Sequence, residues 1–471
     1  MNVADEAKKA LFAGFISIAD KFKLPGDFSI EVVEAAKEAV NAKGEDGQPG
    51  WVAGRRNAID IPLVTLDPAS STDLDQAFSL TRDGDEIVLH YALADVSAFV
   101  PVGGVVECEA WQRGVTIYGL SEKIPLYPKV ISQNAASLLP DGPRPAVLVA
   151  VTIRPNGTVA LRSIERVICQ SRAKLAYDSI ELDSIPYLVE FSDRMSADEI
   201  ARGAIRVEFP QQEVIADEFA PGGVRLDLRA RIQSECVNST LSLAVNMAIG
   251  SLLKEAHMGL FRVMDDPEPR AIAMLRRAAR ALGIGWDFTE TLRDLQRRMD
   301  PQNLIHQRFL LDARRAGGRA QYALFNQEKT PWHSAIAATY SHATAPMRRL
   351  ADRYVLDLAC LLANGQPIPP ALTAQIAELP HTMEFYEGRA SNVDRAVVDL
   401  LEAVSLQHRV GEILDAEVVD ADNGIVQTFD SAIRSRATKL PKVENGDRVR
   451  VRIDLADPTN RKILLTAVSD P

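Results

Sequence analysis

The sequence is poor in the features that mark secreted, membrane-spanning or zinc-binding proteins. Its four cysteines are scattered without a CxxC pair, which argues against a zinc site and suits a reducing compartment. It has no run of 18 or more apolar residues, and its first residues form no apolar signal core. Basic residues number 53 against 64 acidic ones, for a net charge of −11. These shortages predict a cytoplasmic protein without a membrane anchor and count against nucleic-acid affinity spread over the whole surface.

Length and apolar pattern divide the chain into three parts. At 471 residues it has room for about three domains of roughly 150 residues each. Residues 1–50 show helical spacing and predict a small helical domain, either of helix-turn-helix kind or a simple packing collar, which the lack of a basic recognition helix favours. Residues 51–405 change from β to α character at about residue 200, and residues 406–471 form a separate β domain. The expected class is α+β, with a mixed β-sheet core and surrounding helices.

One stretch, LDPASSTDLDQAF at residues 66–78, carries three carboxylates and no basic residue. The apolar run at residues 59–66 leads into it and predicts a buried strand. Small and hydroxyl residues separate Asp67 from Asp73 and Asp75, so the chain can fold back and bring the three together. Three such anions repel one another, and a hard divalent cation relieves that repulsion, with carboxylates, water and substrate phosphate as its ligands.

Plainer interpretations of the same stretch stay open. Aspartates are common in solvated loops and as turn formers or helix caps, and spacing alone does not separate these uses from metal binding. An EF-hand is excluded, because Ala77 stands where its third ligand belongs and the sixth position is not glycine. Asp95, inside the apolar run at residues 86–100, is a candidate supporting partner for the acidic residues.

A second informative stretch is YSHATAPMRRLADR at residues 340–353. Thr344 can cap a helix and the proline two residues later suits its first turn, which puts Arg348 and Arg349 at the helix N-terminus. Two arginines there oppose the helix dipole unless they face a phosphate or a carboxylate. The alternative to a phosphate site is an ion pair between an arginine and Asp352.

The C-terminal part has a charge pattern of its own. Short alternating strands are predicted in four places, at residues 413–420, 424–429, 447–455 and 462–468. Residues 433–452 carry seven basic side chains, Arg434 and Arg436 among them, against two acidic ones. Short strands with a basic stripe fit an OB-fold barrel that binds single-stranded nucleic acid, although ribosomal, translational and metabolic proteins also use such barrels.

Four pieces occur together in one order: the acidic loop, LHYALADVSAFV, YGLSEKIPLYP and YSHATAPMRR. Their combination resembles the ribonuclease II/R family, whose catalytic region is called the RNB domain. The resemblance covers about residues 50–405, and the tail resembles that family's C-terminal RNA-binding OB barrel. It implies a metal-dependent, hydrolytic 3′→5′ exoribonuclease that acts processively on single-stranded RNA and releases nucleoside 5′-monophosphates.

The resemblance also implies roles at the acidic loop. Asp67, Asp73 and Asp75 fall on the family's catalytic loop, where they would hold one or two Mg²⁺ or Mn²⁺ ions, with Asp75 among the catalytic residues. Arg348 falls on a catalytic arginine at the scissile or adjacent phosphate. Gln76 stands where the family usually has a fourth aspartate. It can ligate a metal through a neutral carbonyl oxygen but adds no charge, so one metal position should be weaker.

Further residues are expected to contact RNA. Tyr118 falls on an aromatic residue that resembles the family's clamp for the 3′-terminal base, and Asp394 falls near an acidic residue at the terminal nucleotides. Arg349, beside the catalytic arginine, and the barrel residues Arg434 and Arg436 complete the expected RNA-binding set.

The N-terminus departs from the family, which normally has two β-rich RNA-binding barrels where this sequence has a short helical segment. Two rival functions stay open. One is a non-catalytic RNA-binding regulator on the same fold, which Gln76 makes plausible. The other is a metal-dependent phosphohydrolase of small nucleotides. We expect single-stranded RNA as the partner, Mg²⁺ or Mn²⁺ as the cofactor, and a monomer that does not bind membranes.

Overall fold

A computed structural model describes most of the chain. The described residues are 3–119, 123–204, 211–216, 224–229, 231–300, 303–421, 423–429, 433–444 and 446–468. They form three parts in chain order: two N-terminal helices, a mixed β-sheet covered by helices, and a small closed β-barrel. The predicted α+β class is confirmed.

The chain begins with two helices, α1 (Val3–Phe22) and α2 (Ile30–Asn41). The Ser29 hydroxyl accepts a hydrogen bond from the Val32 N–H at 3.3 Å, so Ser29 caps α2 as the sequence indicates. Ile18 of α1 is fully buried in the main hydrophobic core. The two helices therefore pack onto the body of the fold.

Nine strands follow, and seven of them form the central sheet. They are β1 (Arg56–Asn57), β2 (Leu63–Asp67), β3 (Gln76–Asp83), β4 (Glu86–Ala94), β5 (Ile117–Tyr118), β6 (Lys123–Ile124), β7 (Arg144–Ile153), β8 (Val159–Cys169) and β9 (Ser171–Ala176). β5 and β6 pair with each other as a separate hairpin, and the sheet order of the others is β1-β8-β7-β4-β3-β2-β9. The pairs β1–β8 and β2–β9 are parallel, and the remaining pairs in the sheet are antiparallel.

The central strands are buried on both faces. Tyr91 and Leu93 of β4 lie in the main core, whereas Ala92 lies in a second cluster with Leu63 and Leu148. This double burial explains why β4 is an almost continuous apolar run instead of an alternating one.

Helices pack on the face of the sheet that lies in the main core, whereas the second cluster is formed by strand and loop residues. The helices beyond the first two are α3 (Val105–Arg113), α4 (Leu188–Arg202), α5 (Gln233–Glu255), α6 (Pro269–Ala281), α7 (Leu292–Arg297), α8 (Leu304–Ala316), α9 (Leu350–Ala363) and α10 (Pro370–Leu406). Shorter helical turns cover Gly50–Val52, Val96–Ala98, Ile131–Ala135 and Leu182–Ser184. By length and composition alone α5 could cross a membrane, but 72% of its most apolar window is buried inside the fold, as in a core helix.

The connection from α3 to β5 requires glycine. Gly114 has a φ of +70°, and a Cβ added to it would lie 2.2 Å from the Tyr386 side chain of α10. The start of the β5–β6 hairpin can therefore lie directly against α10.

The sequence predicts helices throughout the region after residue 200, and there the structure differs. Two hairpins interrupt the helices: β10 (Gln211–Ala216) with β11 (Val224–Arg229), and β12 (Leu260–Val263) with β13 (Gln321–Leu324). The residues of β11, VRLDLR, alternate between apolar and charged, which is strand spacing. The long helix α5 therefore begins only after this hairpin, at Gln233.

The C-terminal strands close into a barrel, as predicted. They are β14 (Ile413–Asp420), β15 (Ile425–Thr428), β16 (Arg434–Thr438), β17 (Arg448–Asp457) and β18 (Lys462–Val468). Their order is β14-β15-β16-β18-β17, and β17 pairs back onto β14. Arg308 of α8 forms an ion pair with Asp420 at 3.0 Å, which joins the helical layer to the barrel.

Candidate active site

The acidic loop joins the end of β2 to the start of β3, two strands that lie next to each other in the sheet. The Leu74 N–H donates to the Ser137 hydroxyl oxygen at 2.9 Å, and that hydroxyl donates to the Thr72 carbonyl at 2.8 Å. The Leu138 N–H donates to the Leu74 carbonyl at 3.0 Å. These bonds hold the loop backbone in one conformation, and sequence reasoning missed Ser137 because nothing in its neighbourhood marks it as a loop anchor.

Asp75 is the most enclosed of the three aspartates. One carboxylate oxygen, Oδ1, accepts a hydrogen bond from the Met347 N–H at 2.8 Å, and Oδ2 lies 3.6 Å from Nε of Arg348. Burial raises the pKa of Asp75 to about 7, and the Arg348 charge and the Met347 hydrogen bond offset part of that rise. The acidic loop and the arginine segment, 272 residues apart in sequence, thus meet as expected.

Asp67 ends β2 and lacks a partner for one oxygen. Its Oδ2 is buried, with no hydrogen-bond partner among the residues that the structure describes. Burial raises the pKa of Asp67 to about 7. The charge of Arg348 lowers it, the nearby Asp73 raises it further, and Lys174 lowers it. A buried acceptor without a donor is costly, so a cation or proton here would stabilise the site.

The backbone at Asp67 is held from the other side by α5. The Tyr177 N–H donates to the Asp67 carbonyl at 3.3 Å. The Asn238 side-chain amide donates to the Tyr177 hydroxyl at 2.8 Å and to the Leu66 carbonyl at 3.3 Å. Neither side chain carries a motif, so sequence reasoning had no signal for them.

The Asp73 carboxylate has a basic partner, because the ammonium group of Lys123 on β6 forms an ion pair with its Oδ1. Both side chains are largely buried, with 21% of Lys123 and 16% of Asp73 exposed. Lys123 was missed, although it lies in the YGLSEKIPLYP segment that contains Tyr118. In the β5–β6 hairpin, Lys123 stands directly opposite Tyr118.

Gln76 is the first residue of β3, and its side chain is engaged. The buried Tyr91 hydroxyl donates a hydrogen bond to Oε1 of Gln76. Burial keeps the pKa of Tyr91 well above its usual value, so the hydroxyl stays protonated as a donor. The oxygen predicted to ligate a metal is therefore already a hydrogen-bond acceptor.

The three aspartates, predicted to hold one or two metal ions, do not form a single cluster in the described part of the chain. Within the described part of the chain, no group of three or more His, Cys, Asp or Glu side chains could hold a metal ion. Asp67 and Asp75, with Asp73 turned to Lys123, still offer the oxygen donors that Mg²⁺ takes, because Mg²⁺ binds one or two carboxylates and fills its other positions with water and substrate phosphate. The Oδ2 atom of Asp67, which has no described hydrogen-bond partner, is suited to be one of these carboxylate ligands.

The two arginines at the site differ in environment. Arg348 is 47% exposed, whereas both Nε and Nη2 of Arg349 bind the fully buried Asp352 at 3.0 and 2.7 Å. Asp352 also accepts a hydrogen bond from the Ala345 N–H at 2.8 Å. The Arg349 guanidinium thus holds the loop that carries Arg348, as in the ion-pair alternative, and a contact between Arg349 and RNA stays a prediction.

The helix that follows Arg349 starts later than the sequence predicts. A helix capped by Thr344 was predicted, but α9 begins at Leu350. Arg349 is extended and forms an isolated β-bridge with Val115, so it cannot belong to a helix. The Thr344 hydroxyl instead accepts a hydrogen bond from the Asn246 amide at 3.1 Å. Arg348 therefore lies in a loop before the helix and not in its first turn.

Tyr118 is adjacent to this arginine segment. The Thr116 N–H donates to the Arg348 carbonyl at 3.0 Å, which joins the β5–β6 hairpin to the arginine loop. Burial raises the pKa of Tyr118, and the Arg348 charge offsets part of that rise. Because the side chain is still 52% exposed, the ring is open to a stacking partner. Residues 120–122 lie outside the described residues.

The other predicted contacts lie on separate elements. Asp394 is exposed on α10, and Arg434 and Arg436 are exposed at alternate positions on one face of β16. Nε of Arg434 donates to Oε1 of Gln427 at 2.6 Å. No described hydrogen bond or ion pair joins these residues to the acidic loop.

Asp95 does not support the acidic loop with its side chain. Its carboxylate is buried and forms ion pairs with Arg55, at 2.6 Å, and with Arg166. Burial opposes ionisation of Asp95, but the charges of Arg166 and Arg55 prevail and lower its pKa. Arg166 in turn binds Asp357 of α9, so Asp95 belongs to a structural network between the sheet and that helix.

Two family models match this chain. The RNB domain model matches residues 55–359, and the model of the RNase II-type exonuclease C-terminal S1 domain matches residues 412–468. Ribonuclease R of Thermotoga maritima is 25% identical over a region that covers 84% of this chain and 58% of that protein. The chain thus spans less than two thirds of that relative's length.

Solved structures share the fold at lower identity. The structure of Mycoplasma genitalium RNase R in complex with ribose-methylated single-stranded RNA has a TM-score of 0.85 and 19% identity, and the match covers 96% of this chain and 77% of that one. Yeast Ssd1, a pseudonuclease, has a TM-score of 0.69 and 15% identity, with 95% and 57% covered. Because the RNB model matches more than half of the residues, and its span contains both Asp75 and Arg348, the chain belongs to the RNB family.

Proposed function

We propose that this RNB protein is a hydrolytic 3′→5′ exoribonuclease that degrades single-stranded RNA processively to nucleoside 5′-monophosphates with a divalent cation, Mg²⁺ or Mn²⁺. One observation carries the proposal: the guanidinium of Arg348 lies 3.6 Å from the carboxylate of Asp75, beside the unpaired oxygen of Asp67. Anionic ligands for a cation and a partly exposed arginine for a phosphate thus occupy one site. The similarity to ribonuclease R supports the assignment.

Each residue has a distinct task in this proposal. Asp67 and Asp75 would hold the cation, which when bound supplies Lewis-acid polarisation and lowers the pKa of a bound water. Arg348 neutralises the charge that builds up on the phosphoryl oxygens as water attacks phosphorus and the bond to the 3′-oxygen breaks. Tyr118 stacks on the terminal base, a contact that gives about 1–3 kcal/mol per base without sequence preference.

The RNA would reach this site from the barrel. Arg434 and Arg436 present positive charge on one exposed face of β16, as a single-strand binding surface requires. Repeated backbone contacts along the strand would keep the shortened product bound and make degradation processive. We expect the protein to act as a cytoplasmic monomer.

A catalytically weakened RNA-binding regulator is the second candidate. Three observations favour it: Gln76 replaces an acidic residue and is bound to Tyr91, Lys123 neutralises Asp73, and yeast Ssd1, a pseudonuclease, shares the fold. Magnesium-dependent shortening of a labelled single strand separates the two candidates, because the regulator binds RNA but leaves its length unchanged.

We predict that Asp75→Asn abolishes hydrolysis and leaves RNA binding intact. The substitution removes an anionic ligand and keeps the shape and the hydrogen bond from Met347. Turnover of an oligoadenylate should fall by at least about a hundredfold, the usual effect of removing one group that stabilises a transition state. Fluorescence anisotropy measures binding in parallel. A variant that degrades RNA at the wild-type rate contradicts the assignment.

We predict that Arg348→Ala lowers kcat by about 10²–10³-fold and changes KM little, because the lost interaction is with charge that develops in the transition state. The matched control is Arg162→Ala, which removes an exposed arginine paired with Asp83 at 2.9 Å on the sheet. The control should retain full activity. Equal rates for the Arg348 variant and wild type in single-turnover digestion would reject the phosphate role.

We predict that Asp75→Asn stabilises the metal-free protein at pH 8. The pKa of Asp75 is raised from 3.8 to about 7 in the folded state, so ionising it costs stability progressively as pH rises through that window. The full cost corresponds to at most about 4 kcal/mol, at 1.36 kcal/mol per pKa unit. Asparagine cannot ionise, so the variant does not have this free-energy cost.

Urea unfolding in EDTA at pH 8 and pH 4 measures this effect. The gain in unfolding free energy should be present at pH 8 and largely absent at pH 4. Asp73→Asn is the control on the same loop; it loses the ion pair with Lys123 and should bring no gain. An Asp75 variant that is less stable than wild type at pH 8 contradicts the account.

A further inference from the structure

Lys123 occupies a position that matters for how many cations the site can bind. Its ammonium group forms an ion pair with Oδ1 of Asp73, and both side chains are largely buried. The β5–β6 hairpin fixes it there, since Ile124 pairs with the buried Ile117 and Lys123 stands opposite Tyr118. The ammonium group of Lys123 on β6 is thus held against the acidic loop.

Gln76, like Lys123, limits the negative charge of the acidic loop. It is neutral, and its carbonyl oxygen already accepts a hydrogen bond from the buried Tyr91 hydroxyl. The loop therefore has three carboxylates and no fourth acidic residue beside Asp75.

The charges at the site can be compared directly. Asp67, Asp73 and Asp75 provide three negative charges. Lys123 and Arg348 provide two positive charges, and Lys174, whose Nζ donates to the Ala69 carbonyl of the loop at 2.7 Å, provides a third. A scissile phosphate adds one negative charge, so one divalent cation leaves a surplus of one positive charge and two leave a surplus of three. In a partly buried site such a surplus strongly opposes the second ion.

We propose that Lys123 takes the place of a second metal ion, so that this site binds one divalent cation, held by Asp67 and Asp75. The inference rests on the proposed function and goes beyond it, because it assigns Lys123 as the residue that sets the metal stoichiometry. The count of charges at the site also predicts which substitutions would change the number of bound ions. Gln76→Asp combined with Lys123→Met makes the site more negative by two charges, and with two ions it has the net charge that wild type has with one.

The test is a Mn²⁺ titration at pH 8, with free Mn²⁺ measured by electron paramagnetic resonance. The full chain carries a bound 2′-O-methylated oligoadenylate, and a gel verifies that the oligonucleotide stays intact. Wild type should bind one Mn²⁺ per chain. Lys123→Met should bind that ion at least about tenfold more tightly, because a like charge close to it is gone. The double variant should bind two.

Lys129→Met is the matched control, because Lys129 is an exposed lysine directly after the YGLSEKIPLYP segment. It should leave both stoichiometry and affinity unchanged. Two Mn²⁺ ions bound to wild type would overturn the inference. An unchanged Mn²⁺ affinity in Lys123→Met together with a reduced kcat would also overturn it, because Lys123 would then act on the substrate. If wild type hydrolyses RNA but binds two ions, the proposed function stands without the inference. If no variant binds Mn²⁺ or hydrolyses RNA, both fall.

Discussion

Two buried carboxylates beside a single arginine are the feature on which the rest of the structure depends. Burial raises the pKa of both Asp67 and Asp75 to about 7, so the folded chain holds them in an environment that resists their ionisation. Buried carboxylates with raised pKa values cost folding stability and are found most often at functional sites. The proposed cation would relieve that cost at the point where the sheet and the arginine loop meet.

Much of the surrounding structure holds that arrangement in place. Asn238 and Tyr177 fix the end of β2 from one side, and Ser137 fixes the loop from the other. Arg349 and Asp352 together hold the segment that presents Arg348, which explains why one of two adjacent arginines is sequestered and the other left accessible. Of these supports, Asn238 belongs to α5 and Asp352 to α9, whereas the Arg348 side chain is 47% exposed.

The sequence predicted the parts of this site that have strong local patterns. The strand before Asp67, the meeting of Asp75 with Arg348, and the barrel strands follow from apolar spacing, clustered charge and resemblance. Prediction from the sequence failed where contacts between distant segments determine the local structure. The β-bridge between Arg349 and Val115 prevents the helix that was predicted to begin at Thr344, and no local pattern reveals a partner more than two hundred residues away. Lys123 was missed because its ion-pair partner, Asp73, lies on a different element of the fold.

The most direct test of the account is the digestion of a single-stranded oligoadenylate labelled at its 5′ end or at its 3′ end, with Mg²⁺ or with EDTA. The account predicts that in Mg²⁺ the 3′ label appears at once as a nucleoside 5′-monophosphate, that the 5′-labelled strand shortens from its 3′ end, and that EDTA stops both. A strand that stays intact in Mg²⁺, or one that is shortened equally in EDTA, would contradict it.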